Sequence, residues 1–267
     1  MTGMLRRPGV LLASAFLLAV AVAAAWPTLL TPLDPAVVDA QVQLTPPNAA
    51  HPFGTDELGR DVFARVVWGA ELTLKAAVIA IAIGVGAGFV IGAVAGYVGG
   101  RVDAVLMRLV DVGLALPSLL LALLIITAIG YGTVPVAIAV GIGFIPTFAR
   151  TTRARIREVR GTPYVEAARI AGVGSTGVLV RHVLPNSVGP VAVLAVLDVG
   201  TAIIWVAALS FLGFGAQPPL ADWGSLISDG RSLLVSAPWV PLLPGLVVAL
   251  TVFSLNHISK SIEEAGA

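Results

Sequence analysis

The sequence contains no cysteine. Disulfides, thiolate nucleophiles and Cys-based metal sites are excluded together. Charge is almost as scarce. Only 12% of the 267 residues are Asp, Glu, Lys or Arg, against about 25% in an ordinary soluble domain. Three histidines are present, His51, His182 and His257, and no HExxH pair, so zinc-dependent hydrolysis has no ligand set. There are two lysines. Lys75 is followed by Ala76 and Lys260 is preceded by Ser259, so neither completes the GxxxxGK[ST] loop that cradles phosphates. The net charge of +1 lacks the basic excess that nucleic-acid binding draws on.

What fills the chain instead is hydrocarbon: 57% of the residues are hydrophobic. A helix needs roughly 17–25 apolar residues to cross about 30 Å of hydrocarbon. Six stretches qualify or nearly do: 10–26, 74–98, 112–129, 134–148, 191–214 and 240–258. Lipid cannot satisfy backbone polar groups, so each must be a helix, and uninterrupted runs rule out the alternation of a barrel. The expected fold class is an all-α polytopic membrane protein of six spans, with residues 1–267 forming a single membrane domain. Pro117 and Pro146 are expected to kink the third and fourth spans. The first run follows Arg6 and Arg7 and ends near Ala23, Ala24 and Ala25, as a cleaved signal peptide does. Five further spans make an uncleaved anchor the simpler reading.

Lys and Arg in short loops set orientation. With the N-terminus in the cytoplasm, Arg6, Arg7, Arg101, Arg108, Lys260 and the seven arginines from Arg150 to Arg181 all lie inside. Arg60, Arg65, Arg231 and the border residue Lys75 lie outside. Both termini are then cytoplasmic. Trp26, Trp68, Trp223 and Trp239 fall near the outer boundary, where amphipathic rings prefer to sit.

The long inner loop, about 149–189, has local structure written into it. Thr162 suits a helix N-cap and Pro163 the first helical position. Tyr164, Ala167, Ala168 and Ala171 then share one face, and Gly172 stands where a helix ends in the left-handed conformation. A second short helical stretch, around 175–184, is expected to stop at Pro185. One reading is a short helix whose flat, small-residue face receives another protein. The other is a surface helix whose arginines only enforce topology.

Glu166-Ala167-Ala168, then Gly172, then Leu184-Pro185 match the EAA loop of ABC-importer permeases in type and spacing. The general pattern has isoleucine where this chain has His182. RHVLPN at 181–186 is instead similar to the version found in permeases for dipeptides, oligopeptides and nickel. HPFGTDELGRDVFARVVWGA at 51–70 and LSFLGFGAQPPLADWG at 209–224 resemble two further segments of the same group, in its second permease type.

That resemblance implies a type I ABC importer permease fold in a bacterial cell membrane. It implies a homologous permease subunit as heterodimer partner, two cytoplasmic ATPase domains and an extracytoplasmic substrate-binding protein. No cofactor is expected in this chain; ATP and Mg would be bound by the ATPase subunits. Glu166, Ala167, Ala168 and Gly172 would contact the ATPase, and Leu184 and Pro185 would shape the return to the membrane. Asp56, Glu57, Arg60 and Asp61 form a charged cluster that is either a binding-protein contact or a solvated entry to the second span. Di- or oligopeptides are the expected cargo, with nickel chelates or haem as alternatives.

Asp198 is the one acid well inside an expected span, about 12 Å from its inner end at 1.5 Å per residue. An intramembrane acid is a functional candidate, either lining the path or bonding to a neighbouring subunit. Glu71 and Lys75, four apart, read as a local helix pair. Ser210 and His257 would be the only pair for an intramembrane protease, and their depths differ. A secondary transporter would carry inverted repeats, and none is clear.

Overall fold

The computed structural model describes residues 8–266, with side chains as far as Ser261. Arg6 and Arg7, counted on the inner side above, lie outside the described residues. Every regular element among those described is helical; one isolated bridge joins Thr55 and Asp61. The helices are α1 (Pro8–Ala25), α2 (Val62–Val98), α3 (Gly100–Ala115), α4 (Ser118–Ile129), α5 (Thr133–Arg160), α6 (Pro163–Ile170), α7 (Ser175–Val178), α8 (Leu184–Phe211), α9 (Trp223–Asp229) and α10 (Trp239–Gly266).

Five helical stretches are long and apolar enough to cross a membrane: α1, α2, α5, Ser175–Phe211 and Trp239–Ser261. The sixth expected span differs. Leu116 is extended, as a residue before proline prefers, and α3 and α4 meet there at 96°. The run at 112–129 is therefore broken at Pro117, not merely kinked. With 12 residues, α4 is only about 18 Å long. At Pro146 the outcome is different again, because α5 runs on through it.

The expected stop at Pro185 is also absent. α7 passes through a π-helical turn, Leu179–Val183, into α8. Proline has no N–H and crowds the carbonyl four residues back, here Arg181. The widened turn, in which Leu184 N–H reaches the Leu179 carbonyl, makes room for the ring near the start of α8. The fifth helix thus begins well before residue 191.

The chain forms two compact units. One comprises residues up to Val78, Ile125–Ala137 and those from Val199 onward; the other comprises Ile79–Leu124 and Ile138–Asp198. In the first, α1 packs along α10, and a β-carbon on Gly9 would lie 3.0 Å from Nε2 of His257. Trp223 is buried, its indole N–H donating to the Val66 carbonyl at 2.9 Å. It is a core residue of its unit, not the boundary anchor expected, whereas Trp26 is exposed.

In the second unit, glycines at every fourth position of α2 seat α5. A β-carbon on Gly84 would meet Cβ of Phe144 at 2.6 Å, and one on Gly88 would meet Cβ of Phe148 at 2.6 Å. The same construction at Gly96 meets the Arg153 carbonyl at 2.9 Å. In lipid, helices associate through such close packing, because hydrocarbon offers no hydrophobic drive between them. Asp103 on α3 is buried and ties that helix to α5. It accepts from Nη2 of Arg153 at 2.7 Å, from its Nε, and from Nη2 of Arg157 at 2.6 Å.

Candidate functional site

Both ends of α6 are built as the sequence specifies. Pro163 opens the helix. Gly172 closes it at φ +85°, with its N–H on the Arg169 carbonyl and Val173 N–H on the Ala168 carbonyl at 3.0 and 3.1 Å. That pair of bonds is a Schellman closure, and it needs a residue free to adopt positive φ. Thr162 does occupy the N-cap, but its hydroxyl donates to the Val159 carbonyl at 2.6 Å instead of accepting from the helix.

One side chain seats the helix. Val165 is fully buried among Ala93, Ile156, Val159, Val178 and Val183. Tyr97 and Leu184 pack against the same cluster. Polar bonds brace the surroundings. The Tyr97 hydroxyl donates to the Ser175 carbonyl. The Tyr164 hydroxyl donates to the His182 carbonyl at 3.0 Å, and Asn186 Nδ2 reaches the same oxygen at 2.7 Å.

The opposite face of α6 is open. Glu166, Ala167, Gly172 and Pro185 are exposed, while Ala168 and Leu184 are partly buried. Of the small-residue face expected from Tyr164, Ala167, Ala168 and Ala171, all but the partly buried Ala168 are exposed. Ile170 was not anticipated and is the most open hydrophobic residue of the segment, 82% exposed. Its signal was available, since it follows Glu166 by four and Ala167 by three.

The charged cluster at 56–61 is organised differently from the expectation. Asp56 and Asp61 are both buried. Asp56 accepts from Nε of Arg60 at 2.7 Å, Nη1 of Arg65 at 2.8 Å, and the N–H groups of Leu58 and Arg60 at 2.9 and 3.0 Å. Asp61 caps α2 through Ala64 N–H at 2.7 Å and meets the His51 ring at 2.8 Å. Two buried carboxylates, each already bonded within the chain, offer little surface to a partner. Of the four residues proposed for that contact, Glu57 is exposed and Arg60 half-buried.

Asp198 is half-buried and, among the described residues, has no hydrogen-bond or ion-pair partner. No ion pair joins Glu71 to Lys75, so the expected helix pair is not formed. Ser210 and His257 have separate surroundings. A β-carbon on Gly215 would strike the Ser210 hydroxyl, whereas His257 stacks on Phe253 at 6.1 Å.

Residues 88–265 match the family described as binding-protein-dependent transport system inner membrane component. A dipeptide transport system permease protein of Alkalihalophilus pseudofirmus is 39% identical over 237 residues, 89% of this chain and 78% of that one. A probable D,D-dipeptide transport system permease protein of Escherichia coli is 38% identical over 231 residues, 86% and 78% of the two chains. A glutathione transport system permease protein of Pectobacterium atrosepticum is 39% identical over 219 residues, 82% and 73%. Among solved structures, an amino acid ABC transporter superposes with a TM-score of 0.59 at 19% identity, covering 76% of this chain and 94% of that one. This last likeness is one of fold.

Proposed function

Because the chain belongs to the family of binding-protein-dependent transport system inner membrane components, we propose that it is a membrane-spanning subunit of an ATP-driven importer of di- or oligopeptides. Relatives whose names specify dipeptide or glutathione transport support the cargo class. Its work is vectorial. It encloses a path together with a homologous permease and forms no covalent bond with its cargo. Two ATPase domains carrying ATP and Mg drive it from the cytoplasm, where both termini of this chain lie, and an extracytoplasmic binding protein delivers the cargo.

The observation that carries the reading is the division of α6 into a seated face and an open one. Val165 is held in the chain's own core while Glu166, Ala167, Ile170 and Gly172 face outward. A helix so placed meets the ATPase with a flat surface of small residues centred on one isoleucine. It passes displacement inward through Val165 and Leu184. Switching of this kind requires an element with two arrangements that both partners bias; the inward- and outward-open forms of the permease pair supply it. On the outer side, Glu57 and Arg60 are the residues left to meet the binding protein.

The test is purification of this chain from its native membrane, with the ATPases and second permease that accompany it identified by mass spectrometry. Wild type is expected to co-elute with them, and Ile170→Asp to lose the ATPases while remaining folded. Co-elution undiminished in that variant would remove α6 from the contact. A wild-type chain that elutes alone, stable and monodisperse, would count against the ATP-driven reading itself.

A further inference from the structure

In the second unit, the ends of α2 and α5 and the body of α6 border an open cleft of about 360 Å³. Arg157, Arg160 and Arg169 line it, with Gly96, Gly99 and Gly161 between them, and no carboxylate is among the lining residues. Three guanidinium groups around one space repel each other unless something negative lies between them.

The chain itself supplies little to balance them. Arg157 bonds to Asp103 at 2.6 Å, but that carboxylate also serves Arg153. Arg160 has only neutral partners: it donates to the Tyr97 carbonyl at 2.6 Å and lies 5.6 Å over the Tyr97 ring. Arg169 has no hydrogen-bond or ion-pair partner among the described residues, and Glu166, three positions earlier, does not pair with it. Glu158 is taken by Arg155 at 2.7 Å. Gly99 adds no side chain to this space; a β-carbon there would lie 3.9 Å from Nη1 of Arg160.

We propose that this cleft binds a phosphate group, held by the forked N–H donors of Arg157, Arg160 and Arg169. Guanidinium forks match the oxygens of phosphate in both geometry and charge. Basic pockets between spanning helices on the cytoplasmic side receive anionic headgroups. Lipids with such headgroups bring acyl chains with them. Free phosphate offers the same oxygens without the chains. The proposal requires the membrane reading but not the transport one.

The full chain, purified in neutral detergent, decides between the sources. One arm compares retention of phosphatidylglycerol with that of phosphatidylcholine by native mass spectrometry. The other compares thermal stabilisation by inorganic phosphate with chloride at equal ionic strength. Preferential phosphatidylglycerol retention supports the site with a lipid headgroup as ligand. Stabilisation by phosphate without lipid preference supports it with a soluble anion. Arg169→Gln, at an exposed position, should bind on the order of tenfold more weakly, the loss of one charge-assisted bond. Arg181→Gln, also exposed and outside the cleft, should bind as wild type does. Absence of both wild-type effects overturns the proposal, whatever the variants do. Equal weakening by Arg181→Gln also overturns it, since the binding would then belong to a diffuse basic surface.

Discussion

A β-carbon placed on Gly92 would lie 2.3 Å from the carbonyl oxygen of Ala149. At that point α2 and α5 touch backbone to backbone, and no side chain fits. Replacing Gly92 by alanine is expected to force the helices apart and cost about 1–3 kcal/mol, the usual range for overpacking a tight contact. Gly86, with nothing within 4 Å, is the control on the same helix and should tolerate alanine. Thermal melting of the two variants in detergent checks the contrast.

Asp56 and Glu57 are adjacent and should separate cleanly. Asp56→Asn leaves Arg65, itself buried, with Asp229 at 3.4 Å as its remaining acid. Removing one member of a buried pair costs about 3–5 kcal/mol, reduced here because Asp229 stays. That variant should melt earlier and become protease-sensitive between residues 44 and 73. Glu57→Gln should leave melting unchanged and weaken association with the binding protein, read by pull-down at low salt.

Val165 and Ile170 separate seating from contact. Val165→Ala removes buried hydrocarbon worth about 0.8 kcal/mol per methylene-sized group, so α6 should loosen by about 2 kcal/mol at most. Faster amide hydrogen exchange over 163–172 is the readout. ATPase association should persist while transport per ATP hydrolysed falls. Ile170→Asp should do the reverse, leaving exchange alone and abolishing association.

Gly172 tests whether backbone conformation or mere size matters at the end of α6. Asparagine adopts positive φ more readily than other side-chain-bearing residues, so Gly172→Asn should keep the Schellman closure and most of the activity. Gly172→Val, β-branched and strained at φ +85°, should unravel the last turn and uncouple transport. Circular dichroism of the whole chain will barely register the difference; uptake by reconstituted importer will.

Asp198 has two readings that one variant distinguishes. If it lines the path, Asp198→Asn lowers uptake of peptides with a basic side chain more than of neutral ones. If it bonds to the partner permease, the variant lowers co-elution of that subunit and affects all cargo equally. Uptake of a neutral and a basic dipeptide, measured side by side with co-elution, reads both.

The apolar runs were legible because lipid leaves the backbone no alternative to the helix. The two ends of α6 were legible because Pro163 and Gly172 act within a turn of themselves. Neither signal depends on distant residues. Pro117 and Pro146 show where that clarity ends. They look alike in the chain, yet one breaks its helix and the other is carried through, because the result depends on what surrounds each ring. The glycines at 84, 88, 92 and 96 carry their information in a four-residue register, which their number alone does not display. In the segment alone, Asp56 and Asp61 look like solvated or partner-facing charges. Their burial depends on Arg65, His51 and residues far along the chain, and a local segment does not display that.

The segment from Leu44 to Thr73 closes in an order set by synthesis. Thr55, Arg65, Val66 and Thr73 each bond to a residue between Trp223 and Trp239. Arg65 and Asp229 are 164 positions apart. A ribosome delivers the first half of this knot early and the second half only after the intervening helices have entered the bilayer. Until then Thr55, Val66 and Thr73 lack these partners, and Arg65 has Asp56 alone. A chain that stalls before Trp223 therefore never acquires the parts that close the segment, and until Trp239 is made those bonds stay open to any protease that reaches them.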